Sequence, residues 1–253
     1  MDLKLKGKKA IVTGGTRGIG RAIAELLAEE GADVAICARN QGQIDETVAA
    51  LAKKGIKAWG SPVDVADTTA QRAWVGDAAE ALGGLDIFIA NVSALAVAAD
   101  EASWRKSFDV DVMGTVAGVE AALPLLQKSG AGAVVIIGSV AAVEVTGPTR
   151  PYNAVKAALV PYMKSTAQNY ARKNVRVNMV SPGTIYFKGG VWNAREEKQP
   201  ELFKAAMARN PTGRMGKPEE VADAAVFLAS PRASFITGAN LIVDGAITQR
   251  VQF

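Results

Sequence analysis

Lys8-Lys9-Ala10-Ile11-Val12-Thr13-Gly14-Gly15-Thr16-Arg17-Gly18-Ile19-Gly20 decides the fold of this 253-residue chain. Lys8 to Thr13 is a short β-type run, and the glycines follow it directly. From Ile19 the apolar residues recur at Ala22, Ile23, Leu26 and Leu27, one face of a helix that ends near Gly31. Strand, glycine loop and helix in that order bring backbone N–H groups and a helix N-terminus up to a diphosphate, with glycines where a side chain would block the approach. The spacing is G-x-x-x-G-x-G, not the commoner G-x-G-x-x-G, and a glycine loop by itself is more often a plain turn. At the first strand-to-helix junction it points to dinucleotide binding, with Gly14, Thr16, Arg17, Gly18, Ile19 and Gly20 on the phosphate side.

The next strand, Asp33 to Ala38, decides the cofactor type. A carboxylate at its end would accept from a ribose 2'-hydroxyl, whereas a cation would meet a 2'-phosphate. Here Ala38 is followed by Arg39. With Arg17 that makes two positive charges and no acid, which predicts NADP(H) over NAD(H); the alternative is two merely solvated arginines.

Further apolar runs at Ile56 to Ser61, Leu85 to Ala90, Ala133 to Ser139, Val175 to Val180 and Asn240 to Val243 alternate with helical stretches. The helices are expected at Gln43 to Lys53, Thr68 to Leu82, about Ala102 to Leu126, from Tyr152 onward, and at Pro218 to Ala229. About seven strands with continuous apolar character predict an α/β, Rossmann-type doubly wound parallel sheet with helices on both faces, in a single domain over residues 1–253. Residues 184–217 read as an irregular insert.

Composition removes several chemistries. The chain has no histidine, which excludes Ser-His-Asp and Cys-His catalysis and histidine-ligated metals, and its one cysteine, Cys37, cannot form an internal disulfide. A net charge of +4 comes from basic residues dispersed among acids, apart from Lys4, Lys6, Lys8 and Lys9, so nucleic acid is not the expected partner. No apolar run reaches roughly 18 residues, and a soluble cytoplasmic protein without a membrane partner is expected.

Chemistry concentrates instead in Gly138-Ser139 and Tyr152-Asn153-Ala154-Val155-Lys156. Residues four apart share a helix face, so Tyr152 and Lys156 point the same way. A neighbouring ammonium and a helix N-terminus both favour a phenolate, which makes Tyr152 a candidate general acid or base. Ser139, at the carboxyl end of a buried strand, is placed to hold a substrate oxygen.

Together, Thr13-Gly14-x-x-x-Gly18-x-Gly20, Asp64-Val65, Asp86 to Asn91, Ser139 with Tyr152-x-x-x-Lys156, Pro182-Gly183, Thr237-Gly238 and Val243-Asp244-Gly245 resemble the short-chain dehydrogenase/reductase family over essentially the whole chain. The resemblance implies a nicotinamide cofactor, a homotetramer or homodimer, and reversible hydride transfer involving a carbonyl or alcohol substrate. It makes Tyr152 the proton donor and acceptor, with Lys156 holding the nicotinamide ribose and Ser139 the substrate oxygen. Gly14, Gly18, Ile19 and Gly20 would line the diphosphate, Asp64 and Val65 the adenine, Asn91 the region below the ribose, and Pro182, Gly183 and Ile185 the nicotinamide.

Four departures stand out. Ala90-Asn91-Val92-Ser93 replaces the frequent Asn-Asn-Ala-Gly. Asp111 stands where an asparagine usually binds a water behind Lys156, and is either a relay substitute or a buried ion pair. Phe187 falls where a threonine commonly meets the carboxamide. Pro161 lies inside the Tyr152 helix and is expected to kink it. Tyr186, Phe187, Trp192 and Phe203 suggest an apolar wall for substrate or, alternatively, local packing; Arg150 reads as a solvated charge or, alternatively, as a partner for an anionic substrate group. The Thr13-to-Ala24 and Arg214-to-Glu220 segments look similar to 3-oxoacyl-carrier-protein reductases, with Lys128 and Arg172 as cations for an acidic carrier. The readings are therefore an NADP(H)-dependent carbonyl reductase or alcohol dehydrogenase, a 3-oxoacyl-carrier-protein reductase, or a non-catalytic dinucleotide-sensing scaffold.

Overall fold

The computed structural model describes residues 1–96, 98–145 and 150–251. Its strands are β1 (Lys9–Thr13), β2 (Asp33–Ala38), β3 (Ala58–Pro62), β4 (Ile87–Ala90), β5 (Gly132–Ile137), β6 (Val175–Pro182) and β7 (Asn240–Val243). They form one sheet in the order β3-β2-β1-β4-β5-β6-β7, and every neighbouring pair is parallel. The helices are α1 (Gly18–Glu29), α2 (Gln41–Ala52), α3 (Thr68–Leu82), α4 (Glu101–Ser107), α5 (Gly114–Ser129), α6 (Pro151–Tyr170), α7 (Val191–Lys198), α8 (Pro200–Ala208) and α9 (Pro218–Ala229).

Alternate residues of each central strand enter different cores. Ala10, Val12, Val34, Ile36, Ile87, Ile89, Ala133 and Val135 pack with α1 and α9. Ile11, Ala35, Cys37, Phe88, Val134 and Ile136 pack on the other face with α3, α5 and α6. Both faces are covered, so the strands are continuously apolar, and a polar residue on either side would need its own partner. Cys37 is fully buried, and burial pushes its thiol up to about 12, so it is a packing residue.

Two expectations change. Residues 184–217 are not irregular, because α7 and α8 lie within them. The sequence of α7, Val-Trp-Asn-Ala-Arg-Glu-Glu-Lys, lacks an apolar stripe; a side-chain bond from Asn193 to Glu197 (3.1 Å) supports the turn instead. The long helix expected from 102 to 126 is divided by a π-helical turn, Phe108–Met113. In α6, Pro161 neither ends nor splits the helix. Its ring is exposed, so water can satisfy the carbonyl that loses its donor.

Candidate active site

Because all strands run the same way, the segments following β1, β2, β3, β4, β5 and β6 gather at one edge of the sheet. The order reverses between β1 and β4, where a doubly wound sheet opens a crevice. The glycine loop, Arg39, Asp64-Val65, Asn91, Ser139 and Pro182-Gly183 all lie at this edge. No helix is long and apolar enough to cross a membrane, and no cluster of metal-ligating side chains occurs among the described residues.

The glycine loop has a geometric need for its glycines. A Cβ on Gly20 would lie 2.2 Å from the Gly14 carbonyl oxygen and 2.5 Å from Asn91 Nδ2, and one on Gly15 would lie 2.5 Å from Ile36 Cγ2. Gly14 and Gly18 have positive φ (68° and 54°). Asn91 Nδ2 donates to the carbonyls of Thr13 (3.0 Å) and Gly14 (3.3 Å), and the Asn91 amide donates to Thr13 Oγ1 (3.0 Å). The end of β4 thus clamps the loop. Helix α1 then starts with no side-chain cap and no acid in its first turn, leaving its amides suited to an anion. This cradle fits a dinucleotide diphosphate. Arg17 and Arg39 are exposed nearby, and neither forms an ion pair among the described residues. Thr16 Oγ1 donates weakly to Gln43 of α2 (3.4 Å).

Lys156, Asp111 and Tyr152 form the second part. Lys156 is 2% exposed and Asp111 is fully buried. Lys156 Nζ donates to the Ile137 carbonyl (3.2 Å) at the end of β5 and lies 3.1 Å from Asp111 Oδ1. The latter contact is close but off the hydrogen-bonding direction, since Oδ1 accepts no hydrogen bond. Asp111 Oδ2 accepts from the Ala94 amide (2.9 Å), tying the segment after β4 to the π turn. A π turn re-aims side chains within a helix, and Asp111 faces inward while Asp109 is exposed. Asp111 and Lys156 thus form a direct buried ion pair. Each ion of such a pair would be costly alone.

Pro151 begins α6, and Tyr152 follows half-buried, with Lys156 Nζ 5.9 Å from its ring centroid. Ser139 lies two residues beyond β5 in extended conformation. Its Oγ accepts from the Ala141 amide (3.1 Å), which fixes the hydroxyl at the start of a short 3-10 turn, Val140–Ala142. The i, i+4 spacing, the helix start and the strand end thus bring Ser139, Tyr152 and Lys156 to one edge.

After β6, a Cβ on Gly183 would lie 2.8 Å from Asp244, so this glycine allows close packing on the β7 loop. Ile185 bridges to Gly216, and the Tyr186 amide donates to the Gly216 carbonyl (2.8 Å). Phe187 does not stand free in a substrate wall: its ring contacts Gly18 and Gly190. Tyr186 and Phe203 pack edge-on, with centroids 6.1 Å apart, and Tyr186 donates to Glu196, so local packing is the reading that holds for this pair. Trp192 carries the Arg195 guanidinium 4.5 Å above its ring. Partial desolvation and then the charge of Arg150 lower the Arg195 pKa. The insert therefore carries a positive charge that feels the residue two before Tyr152.

Asp64 is exposed and accepts from the Ala66 amide (3.0 Å), whereas Val65 is buried against Gly114. Lys128 and Arg172 lie near the starts of β5 and β6, at the opposite end of the sheet, and do not flank the cleft. Three site-building residues gave no usable functional signal beyond motif membership or chain order. They are the Thr13 hydroxyl, the Ala94 amide and Asp244; the last accepts from Thr248 Oγ1 (2.7 Å).

The comparisons agree with this architecture. A family model described as enoyl-(acyl carrier protein) reductase matches residues 14–248. Isoepoxydon dehydrogenase of Penicillium expansum is 38% identical, with 98% of each chain covered. Human dehydrogenase/reductase SDR family member 4 is 34% identical over 98% of this chain and 90% of its own. The solved structure of L-sorbose reductase from Gluconobacter frateurii, complexed with NADPH and L-sorbose, superposes with a TM-score of 0.92 at 31% identity, covering 99% of this chain and 100% of that one. With the glycine cradle, the parallel sheet and these matches, the chain belongs to the short-chain dehydrogenase/reductase family of oxidoreductases.

Proposed function

We infer that the chain is an NADP(H)-dependent oxidoreductase that interconverts a carbonyl compound and its secondary alcohol, with Tyr152 moving the proton. The observation that carries this reading is the buried ammonium of Lys156, held by Asp111 and the Ile137 carbonyl on the helix face that bears Tyr152. The nicotinamide group supplies or accepts the hydride when bound. The loop from Gly14 to Gly20, including Thr16 and Ile19, and the α1 N-terminus would hold the diphosphate, while Arg17 and Arg39 would take the 2'-phosphate. Asp64 and Val65 would border the adenine, and Asn91, Pro182, Gly183 and Ile185 the ribose and nicotinamide side.

In reduction the Tyr152 hydroxyl gives its proton to the substrate oxygen, and in oxidation the phenolate takes it back. Lys156 stabilises that phenolate electrostatically, and the Ser139 hydroxyl hydrogen-bonds the same substrate oxygen. Asp111 is a positioning residue that acts through Lys156. The use of NADPH by the similar L-sorbose reductase supports the cofactor choice.

The test is NADPH oxidation with ketones, sugars and 3-oxoacyl thioesters, using Tyr152→Phe as control. That variant is expected to bind NADPH normally and to lose roughly 10²–10⁴-fold in rate. Surviving activity would refute the mechanism. A 3-oxoacyl-thioester substrate is the second reading, supported by the match of residues 14–248 to a family model described as enoyl-(acyl carrier protein) reductase. Faster turnover of the thioesters than of simple ketones decides for it. A homotetramer or homodimer is proposed through α4, α5 and α6, where Trp104 and Phe108 are exposed. A monomer by light scattering would end that proposal.

A further inference from the structure

Two glycines bracket the Phe187 ring. A Cβ on Gly18 would lie 2.5 Å from Phe187 Cζ and 2.9 Å from both Cε atoms; one on Gly190 would lie 2.9 Å from Cε1 and Cζ. The ring thus stands tip-first on the backbone at the first residue of α1, where only a glycine leaves room for it. This is the same backbone that the glycine cradle presents to phosphate. The α1 N-terminus has no side-chain cap and no first-turn acid, and a phenyl ring offers its N–H groups no oxygen.

A glycine turn delivers the ring. The Gly190 amide donates to the Phe187 carbonyl (3.0 Å), Gly189 has φ 77°, and the Gly189 amide donates to Asn193 Oδ1 (2.9 Å). Gly190 is also the N-cap of α7, the helix that carries Trp192 and Arg195. Displacing the ring therefore pulls on the start of α7.

We propose that Phe187 is a plug on the dinucleotide seat: its ring covers Gly18, and diphosphate binding requires it to swing away, carrying the start of α7 with it. The proposal rests on reading the glycine loop as a dinucleotide seat. It makes cofactor affinity lower than the cradle alone would give, by the fraction of molecules in which the ring is withdrawn.

The experiment is a set of equilibrium titrations of the full chain, as wild type, Phe187→Ala and Phe187→Thr. NADPH is compared with adenosine 2'-monophosphate, which has the adenine and the 2'-phosphate but no diphosphate. If the ring covers the seat about nine-tenths of the time, both variants bind NADPH about tenfold tighter, with the monophosphate unchanged. Equal or weaker NADPH binding by the variants overturns the plug, because the ring then ignores or supports the cofactor. Equal tightening of both ligands also overturns it, by showing a general loosening. Absence of NADPH binding by all three proteins removes the underlying dinucleotide reading, and the plug with it.

Discussion

The loop after β1 and the loop after β6 lie at the same edge of the same sheet, and both lead through glycines toward a helix, but they are held differently. The first is clamped through its own backbone: the Asn91 side chain bonds two of its carbonyls, and a side chain at Gly20 would collide with Gly14. The second is held by a backbone bridge between Ile185 and Gly216 and, beyond it, by side-chain packing, Tyr186 against Phe203 and Phe187 on Gly18. A loop fixed by backbone sterics can serve one ligand group in one way. A segment pinned by a backbone bridge at its start and by side-chain packing beyond it can vary those side chains without losing its course, which suits the substrate side of an enzyme family with many substrates.

Behind both loops lies the Lys156–Asp111 pair, and its removal should be the severest challenge to the substrate side. Asp111→Ala leaves Lys156 buried without its counter-charge and the Ala94 amide without its acceptor. The expected loss is about 3–5 kcal/mol of stability, measured by denaturant unfolding. Asp111→Asn keeps an acceptor for Ala94 and should lose less. If Asp111 acts through Lys156, the asparagine variant also alters the pH profile of kcat; an unchanged profile would leave Asp111 a purely structural ion.

On the cofactor side the sharpest probe is Gly20→Ala. With 2.2 Å between the new Cβ and the Gly14 oxygen, the loop must distort. NADPH affinity should fall by roughly 100-fold, about 2.7 kcal/mol, while the distant cores keep the protein folded. Retained affinity would show that the clamp is softer than its contacts imply.

Arg39→Asp tests selectivity rather than construction. The carboxylate should repel a 2'-phosphate and accept from a 2'-hydroxyl, shifting the ratio of NADPH to NADH affinity by about tenfold or more toward NADH. A ratio that does not move assigns Arg39 to solvent.

The smallest effect is expected at Glu220. Hydrogen bonds from Arg214 and then the Lys217 amide lower its carboxyl to about 2 from 4.5. Because the folded-state value is depressed, its contribution is present above about pH 4.5 and fades as pH falls toward 2. Glu220→Gln should therefore slightly flatten acid unfolding in that window and leave cofactor affinity unchanged. The side chain is 39% exposed, so solvent screening keeps the effect small.

Much of the fold was legible from chain order because its signals are local. Strand, glycine loop and helix are adjacent in sequence, Tyr152 and Lys156 are one turn apart, and a doubly covered parallel sheet writes its strands as apolar runs. The chain by itself therefore determined the sheet, the cradle and the face shared by those two residues. What it left open depends on distant pairs. Asp111 meets Lys156 across 45 positions, Phe187 meets Gly18 across 169, and helix α7 of the insert lacks the apolar stripe that would announce it. Lys128 and Arg172 were assigned by charge alone, and strand direction places them away from the cleft. Such contacts are settled only when the sheet closes and the loops of several strands compete for one edge, since neither residue of a pair carries a local record of the other.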